Sequence, residues 1–266
     1  MTDPIDWTDA FENGAYIAKA AEIRDGWSVR AEAFRETAAL TRDVPYGDHA
    51  RAAYDLFQTP APKGTLIFVH GGYWHQTDKN TWSHLAAGAI ARGWNVAMPS
   101  YPLAPEVPLG QITAHVARAV RTIMDATEGP VALAGHSAGG HLVTRMACPD
   151  IDLPRERITR ITSISGLHDL RPLRHSAMNE TLGLSSEEAT QESPALHTPV
   201  GGTQINAVVG AAERPEFLRQ TRLLAEAWQG QIDIRDLYVP GTNHFTVIDA
   251  LTDPGSALMT AVLGPR

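Results

Sequence analysis

At 266 residues the chain is long enough for one large domain with a sizeable core, and its hydrophobic content of 43% is ordinary for a globular protein. A formal charge of −8 and a pI near 5.7 argue against a nucleic-acid surface, and the lone cysteine, Cys148, rules out an intramolecular disulfide framework. The acidic start, Met1-Thr-Asp-Pro-Ile-Asp-Trp7, lacks a basic region ahead of an apolar core, so it is not read as a signal peptide. No run of about 18 apolar residues is present to span a membrane, and a soluble cytoplasmic protein is expected.

Residues 1–36 read as an N-terminal arm with helical turns around Ala15–Arg35, covering a sheet edge, with shielding of a site as the alternative role. Two short strands follow, Thr37–Val44 and Ala52–Phe57, joined by a turn at Pro45-Tyr-Gly-Asp48. Thr65-Leu-Ile-Phe-Val69 is apolar throughout, as a strand buried on both faces must be. It runs into His70-Gly-Gly-Tyr-Trp74, where paired glycines let the backbone approach a ligand closely. A helix is predicted over Thr81–Arg92 and a strand over Asn95–Met98. The long helix Leu109–Ala126 is apolar at Ile112, Val116, Val120 and Ile123 and is stopped by Gly129-Pro130. The strand Val131–Ala134 leads through Gly135-His-Ser-Ala-Gly139 into a helix with Leu142, Val143 and Met146 on one face. Ile158–Ser165 is another strand. Residues 166–200 form a long, lid-like connection. Then come a strand Ile205–Val209, a helix Pro215–Trp228, a strand Ile232–Val239, and a helical stretch Phe245–Leu263 broken at Pro254. Strands alternating with helices predict one α/β domain over 1–266, with a mainly parallel eight-stranded sheet flanked by helices on both faces. Ligands of such sheets bind at the carboxyl ends of the strands.

The strand–turn–helix around Ser137 is the chemical focus. Side chains at Gly135 and Gly139 would collide with the neighbouring strand and helix, and the strained turn lifts the serine hydroxyl above the sheet edge. A serine needs a base to take its proton, and a histidine held by an acid serves that role. In this architecture the order is serine, acid, histidine. His244, in Val239-Pro-Gly-Thr-Asn-His-Phe245, is the last histidine of the chain. Glu213, three residues past Gly210, is the first choice of acid, with Glu216 second and Asp169 a lesser rival. The backbone N–H groups of Gly72, Tyr73 and Ala138 are candidates for an oxyanion hole. His70 is assigned to orienting the glycine loop, and His136 is expected to point away from the serine. Neither an H-E-x-x-H motif nor paired cysteines occurs, so no metal site and no cofactor are expected.

Together these residues resemble the α/β-hydrolases, and within them the serine-type kynurenine formamidases and neighbouring esterases. His70-Gly-Gly-Tyr-Trp74 is similar to that family's H-G-G-Y-W loop, and Gly135-His-Ser-Ala-Gly-Gly-His-Leu142 to its G-H-S-A-G-x-H-L elbow. Ser165-Gly-Leu-His-Asp-Leu-Arg-Pro172 resembles its S-G-x-x-D-L-x-P segment, and Pro215-Glu-Phe217 and Asn243-His-Phe245 the stretches around its acid and histidine. Tyr101-Pro-Leu-Ala-Pro-Glu106 resembles the Y-R-L-A-P-E loop of the wider hormone-sensitive-lipase-like group, with Pro102 in place of the arginine; Glu213 stands where an aspartate is usual. The resemblance implies hydrolysis of N-formyl-kynurenine to kynurenine and formate. Tyr73, Trp74 and the 166–200 connection would then supply an aromatic wall for the small-molecule substrate. A carboxylesterase acting on small acyl esters uses the same residues, and a non-catalytic ligand-binding receptor is the third reading. The sequence leaves room for a homodimer and offers no nucleic-acid or membrane partner.

Overall fold

The computed structural model describes residues 5–266; the acidic start from Met1 to Pro4 lies outside the described residues. One eight-stranded sheet organises the chain. Its strands are β1 (Leu40–Pro45), β2 (Ala53–Phe57), β3 (Thr65–Val69), β4 (Asn95–Pro99), β5 (Val131–His136), β6 (Ile158–Ile164), β7 (Gln204–Gly210) and β8 (Ile234–Val239). Their order across the sheet is β1-β2-β4-β3-β5-β6-β7-β8. The β1–β2 and β2–β4 pairs are antiparallel and every later pair is parallel. The helices are α1 (Trp7–Phe11), α2 (Ala20–Thr37), α3 (Ala87–Ala91), α4 (Leu109–Asp125), α5 (Ala138–Arg145), α6 (Asn179–Leu182), α7 (Ser186–Gln191), α8 (Pro215–Trp228) and α9 (Ala257–Leu263).

Period-two alternation along the central strands builds two cores. On β3, Ile67 and Val69 join the layer formed with α4, α5 and α8, while Leu66 and Phe68 join the layer formed with α2, α3 and α9. Val131 and Leu133 of β5 face the first layer, and Ala132 and Ala134 the second. Because both faces are covered, the sequence of β3 and β5 carries no polar alternation. On α4, Ile112, Val116, Ala119, Val120 and Ile123 form one fully buried stripe, as their spacing requires.

The predicted helix over Thr81–Arg92 is different in kind. It consists of 3-10 turns at Lys79–Thr81 and Ser83–Ala86, and only Ala87–Ala91 is α-helical. Packing decides this: Ser83, His84, Leu85 and Ala86 are all buried beneath α2, and at Gly88 a Cβ would sit 2.3 Å from the Leu251 carbonyl. The stretch Phe245–Leu263 likewise starts as a 3-10 segment, Val247–Thr252, before α9. The arm is helical over Ala20–Thr37, and it does more than cover a sheet edge. Phe34 packs at a tilt against Phe57 of β2, next to the edge strand β1, while Trp27 lies 4.6 Å from Trp82 near the carboxyl ends of the strands. The 166–200 connection is short 3-10 turns plus α6 and α7, and much of it is buried rather than draped over the surface. Among the described residues, no helix is long and apolar enough to cross a membrane.

Two stability predictions follow from this packing. A Cβ on Gly139 would lie 2.0 Å from the Val69 carbonyl of β3, where only backbone movement relieves the clash. Gly139→Ala should therefore cost about 3 kcal/mol, the upper end for overpacking, read as a lower urea midpoint with an unchanged slope. Burial also pushes His70 down to about 4 and His141 and His168 down to about 3. Their folded values lie below the unfolded value of about 6.5, so the unfolded chain binds more protons between those limits. Stability should be fully present above pH ~6.5 and fall as the pH drops toward 4, by up to ~1.4 kcal/mol per pH unit for each such histidine. Urea midpoints measured from pH 7.5 to 4.5 would show the fall; a flat profile would contradict it.

Candidate active site

Ser137 sits where β5 hands over to α5, with φ 55° and ψ −118°. A residue with a side chain rarely adopts such a backbone, which costs roughly 1–3 kcal/mol and persists only when its surroundings hold it. Here the Ser137 N–H donates to the Ile164 carbonyl of β6 at 2.8 Å. Gly135 and Gly139 make the turn sterically feasible. A Cβ on Gly135 would meet the Gly139 carbonyl at 2.1 Å, so helix and strand press on each other from both sides of the serine.

His244 follows β8 and is 3% exposed. Its Nδ1 lies 2.7 Å from Glu213 Oε2. A carboxylate at Nδ1 places the proton there and leaves the Nε2 lone pair free to accept a proton. Glu213 is held as well: its Oε1 accepts the Ser165 hydroxyl at 2.5 Å and the Gly210 N–H at 2.8 Å. The rival acids are spoken for elsewhere. Asp169 pairs with Arg171 at 2.8 Å, and Glu216 with Arg219 and Gln220 at 2.7 Å.

His136 does not point away from the site. Its Nε2–H donates to the His244 carbonyl at 2.8 Å, its ring centroid lies 4.7 Å from that of His244, and it lines the same cavity as Ser137. Burial, then the neighbouring His244, holds it well below its ordinary value, so it stays neutral and adds no charge beside the second imidazole.

The loop after β3 brings Gly72, Tyr73 and Trp74 together at φ 112°, 52° and 59°. Gly72 and Tyr73 line the cavity with Ser137. Among the described residues the N–H groups of Gly72 and Tyr73 have no backbone acceptor, and Ala138 opens α5, where the first N–H groups are free. His70 sits under this loop, as its sequence position suggests. Its Nδ1–H donates to the Gly71 carbonyl at 2.8 Å, and its ring stacks on Tyr101 at 4.2 Å. Trp74 departs from expectation. It is fully buried and absent from the cavity wall; its indole N–H donates to His141 Nδ1 at 3.2 Å beneath the elbow helix. The consecutive left-handed residues turn Tyr73 to the cavity and Trp74 into the core, so Trp74 supports the loop rather than touching a ligand.

The cavity above Ser137 has a volume of about 370 Å³. Its aromatic wall comes from Tyr73, Phe11, Trp27, Trp82 and Phe245. The 166–200 connection adds only Ser176, Ala177 and Met178, and these are not aromatic. The arm supplies what sequence reasoning missed. Phe11 and Trp27 lie far from the elbow in sequence, and nothing local in the mixed arm marks them as cavity residues. Ser165 and Arg214 were also missed. Arg214, next to Glu213, binds the Asp9 carboxylate and carries the Tyr16 ring 3.6 Å from its guanidinium carbon, clasping the arm to the acid loop. Elsewhere, Cys148, Asp150 and His197 bring donor atoms within 4.8 Å of one another. However, the buried Arg145 guanidinium already occupies Asp150, at 3.1 Å and 2.5 Å, and burial pushes the Cys148 thiol up to about 11. The cluster is built around the ion pairs of the buried Arg145 with Asp150 and Glu192.

Known proteins share this architecture. A family model described as the alpha/beta hydrolase fold matches residues 66–232, from β3 into the turn after α8. A protein named kynurenine formamidase from Danio rerio is 27% identical over 248 residues, covering 87% of this chain and 84% of its own. Another kynurenine formamidase, from Drosophila melanogaster, is 28% identical over 234 residues, covering 80% and 78%. A crystal structure from Silicibacter sp. TM1040, provisionally named a thioesterase, superposes with TM-score 0.92 at 42% identity, covering 97% of this chain and 99% of that one. An esterase from Pyrobaculum calidifontis shares the fold at TM-score 0.70 and 14% identity, covering 87% and 89%. With the sheet order, the elbow and the family match in agreement, the chain belongs to the alpha/beta hydrolase fold family and resembles its kynurenine formamidases.

Proposed function

We propose that the chain is a serine hydrolase that cleaves N-formyl-kynurenine to kynurenine and formate. One observation carries the reading: an aromatic-walled cavity of about 370 Å³ is lined by both Ser137 and a His244 whose Nδ1 is held 2.7 Å from a buried carboxylate. The similarity to kynurenine formamidases over most of the chain supports the substrate. Ser137 Oγ bonds to the formyl carbon while its proton passes to His244 Nε2. The negative oxygen that results is stabilised by the N–H groups of Gly72, Tyr73 and Ala138. The C–N bond then breaks as the imidazolium returns its proton to the aryl nitrogen, releasing kynurenine. Water, deprotonated by His244, attacks the formyl ester and frees formate and Ser137. Glu213 fixes the histidine tautomer and steadies the imidazolium.

Ester or thioester hydrolysis is the second reading, favoured by the 42% identity to the Silicibacter protein. It requires the same residues. The cavity wall carries one arginine, Arg24, against one glutamate, Glu12, a poor match for a polyanionic thioester carrier.

Ser137→Ala should fold normally yet lose hydrolysis by several orders of magnitude, because such residues act as a unit. Intact-mass labelling with a fluorophosphonate checks the assignment, and an adduct persisting on the variant would refute it. Glu213→Gln should lower kcat by roughly 10²–10⁴ through the wrong histidine tautomer, whereas Asp169→Asn and Glu216→Gln should cost far less. Ser165→Ala should fall between them, at about tenfold, since it removes one charge-assisted bond to the acid. These comparisons use variants whose melting temperatures match the parent. On substrates, kcat/KM for N-formyl-kynurenine should exceed that for aryl acetates, butyrates and short acyl thioesters. Inactivity on the formamide with ready ester or thioester turnover would promote the second reading.

A further inference from the structure

Of the Asp, Glu, Lys and Arg side chains, the cavity wall carries only Glu12 and Arg24, two charges of opposite sign on its N-terminal-arm side. Both Glu12 and Arg24 line the cavity and both are otherwise exposed. They flank Gly14: a Cβ there would meet Glu12 Oε1 at 3.2 Å and Arg24 Nη1 at 3.9 Å. Glu12 Oε1 also accepts the Ala15 N–H at 3.2 Å, which orients the carboxylate. Among the described residues, neither side chain makes an ion pair, with each other or with a third group. Tyr73 links this pair to the reaction centre. It lines the same cavity as Ser137, and its phenol, pushed up by burial, feels the charges of Glu12 and Arg24.

The geometry points to Glu12 and Arg24 as a receptor for an α-amino-acid head, Arg24 taking the carboxylate and Glu12 the ammonium of a substrate whose formamide lies at Ser137. This inference rests on the formamidase reading and deepens it. The pair lines the same cavity as Ser137, so one ligand in that cavity meets both the serine and the two charges. A guanidinium forms charge-assisted bonds to a carboxylate, and a carboxylate to an ammonium, and the two rewards come only with a zwitterion. A neutral aryl ester finds the apolar wall and gains nothing from the pair. The pair therefore selects among substrates that the catalytic residues treat alike.

The test compares N-formyl-kynurenine with formanilide, which has the same aryl formamide and no head. Arg24→Gln and Glu12→Gln should each lower the ratio of the two kcat/KM values by about tenfold, through a higher KM for N-formyl-kynurenine with kcat held, as expected when uniform binding is lost. Arg24→Lys should recover part of the ratio. A ratio unchanged within about twofold in both variants would overturn the proposal. Calorimetry separates this failure from failure of the formamidase reading, because it needs no turnover. Kynurenine should bind the parent protein about tenfold more tightly than 2-aminoacetophenone, and Arg24→Gln should abolish the difference. If the parent hydrolyses only esters or thioesters yet shows that binding difference, the head receptor stands and the reaction assignment falls. If kynurenine and 2-aminoacetophenone bind the parent equally, the receptor itself is refuted.

Discussion

The site hangs on one buried carboxylate. Glu213 is 7% exposed, and a charge removed from water is tolerated only when its oxygens are fully bonded. Three neighbouring strands provide those bonds. Ser165, just past β6, donates to Oε1; Gly210, the last residue of β7, donates to the same oxygen; and His244, after β8, meets Oε2. Ser165 reaches its position by adopting φ 53°. Gly210 must lack a side chain because the histidine loop presses against it, with the Thr242 carbonyl 2.5 Å from where a Cβ would lie. The Glu213 N–H closes back on the Gly210 carbonyl at 3.1 Å. This tight turn starts the side chain close to the strand end, so the glutamate's extra methylene is absorbed by curling back toward its own backbone.

The same dehydration shapes the histidines around the elbow. His136 holds the His244 carbonyl, His70 the glycine loop, and His141 joins Trp74 to the Glu192 carbonyl at 2.7 Å. Burial keeps all three below their ordinary values. They act as neutral hydrogen-bonding spacers with one donor nitrogen each. A protonated ring in any of these places would set a positive charge against the imidazolium that the proposed chemistry forms at His244. In that chemistry one histidine carries the proton between serine and substrate, and its neighbours stay neutral.

Elements whose composition has one physical cause were legible. β3, buried on both faces, and helix α8, buried along one stripe, fall where the residues predict, at Thr65–Val69 and Pro215–Trp228. The serine turn was equally legible, since Gly135 and Gly139 are demanded by clashes of 2.1 Å and 2.0 Å. Three readings failed for reasons that no local pattern records. The run Thr81–Arg92 looks helical, but burial of four successive residues under α2 tightens it into 3-10 turns. Trp74 and Tyr73 are adjacent aromatics after two glycines, and nothing in their order says which faces the ligand. Successive left-handed backbones decide it. His136 was misplaced because the return of the His244 loop over β5 is a tertiary event.

The arm is the instructive case, since its own sequence gives little reason for it to stay where it is. Its anchors are supplied by distant segments. Arg214 holds Asp9 and Tyr16, Arg30 reaches Asp249 at 2.9 Å, the Thr8 hydroxyl accepts the Ala177 N–H at 2.9 Å, and Trp27 packs between Trp82 and Phe245 at 4.6 Å and 5.1 Å. Exposed ion pairs of this kind contribute roughly 1 kcal/mol or less each, so the buried Trp27 and Phe11 must provide most of the attachment. Those two rings also form the cavity wall. What fastens the arm is therefore the same apolar surface that would receive an aryl group, and a ligand's ring completes packing that the arm begins. In the proposed chemistry the elbow fixes where a bond can be broken, and the arm would then fix which molecules can be held there.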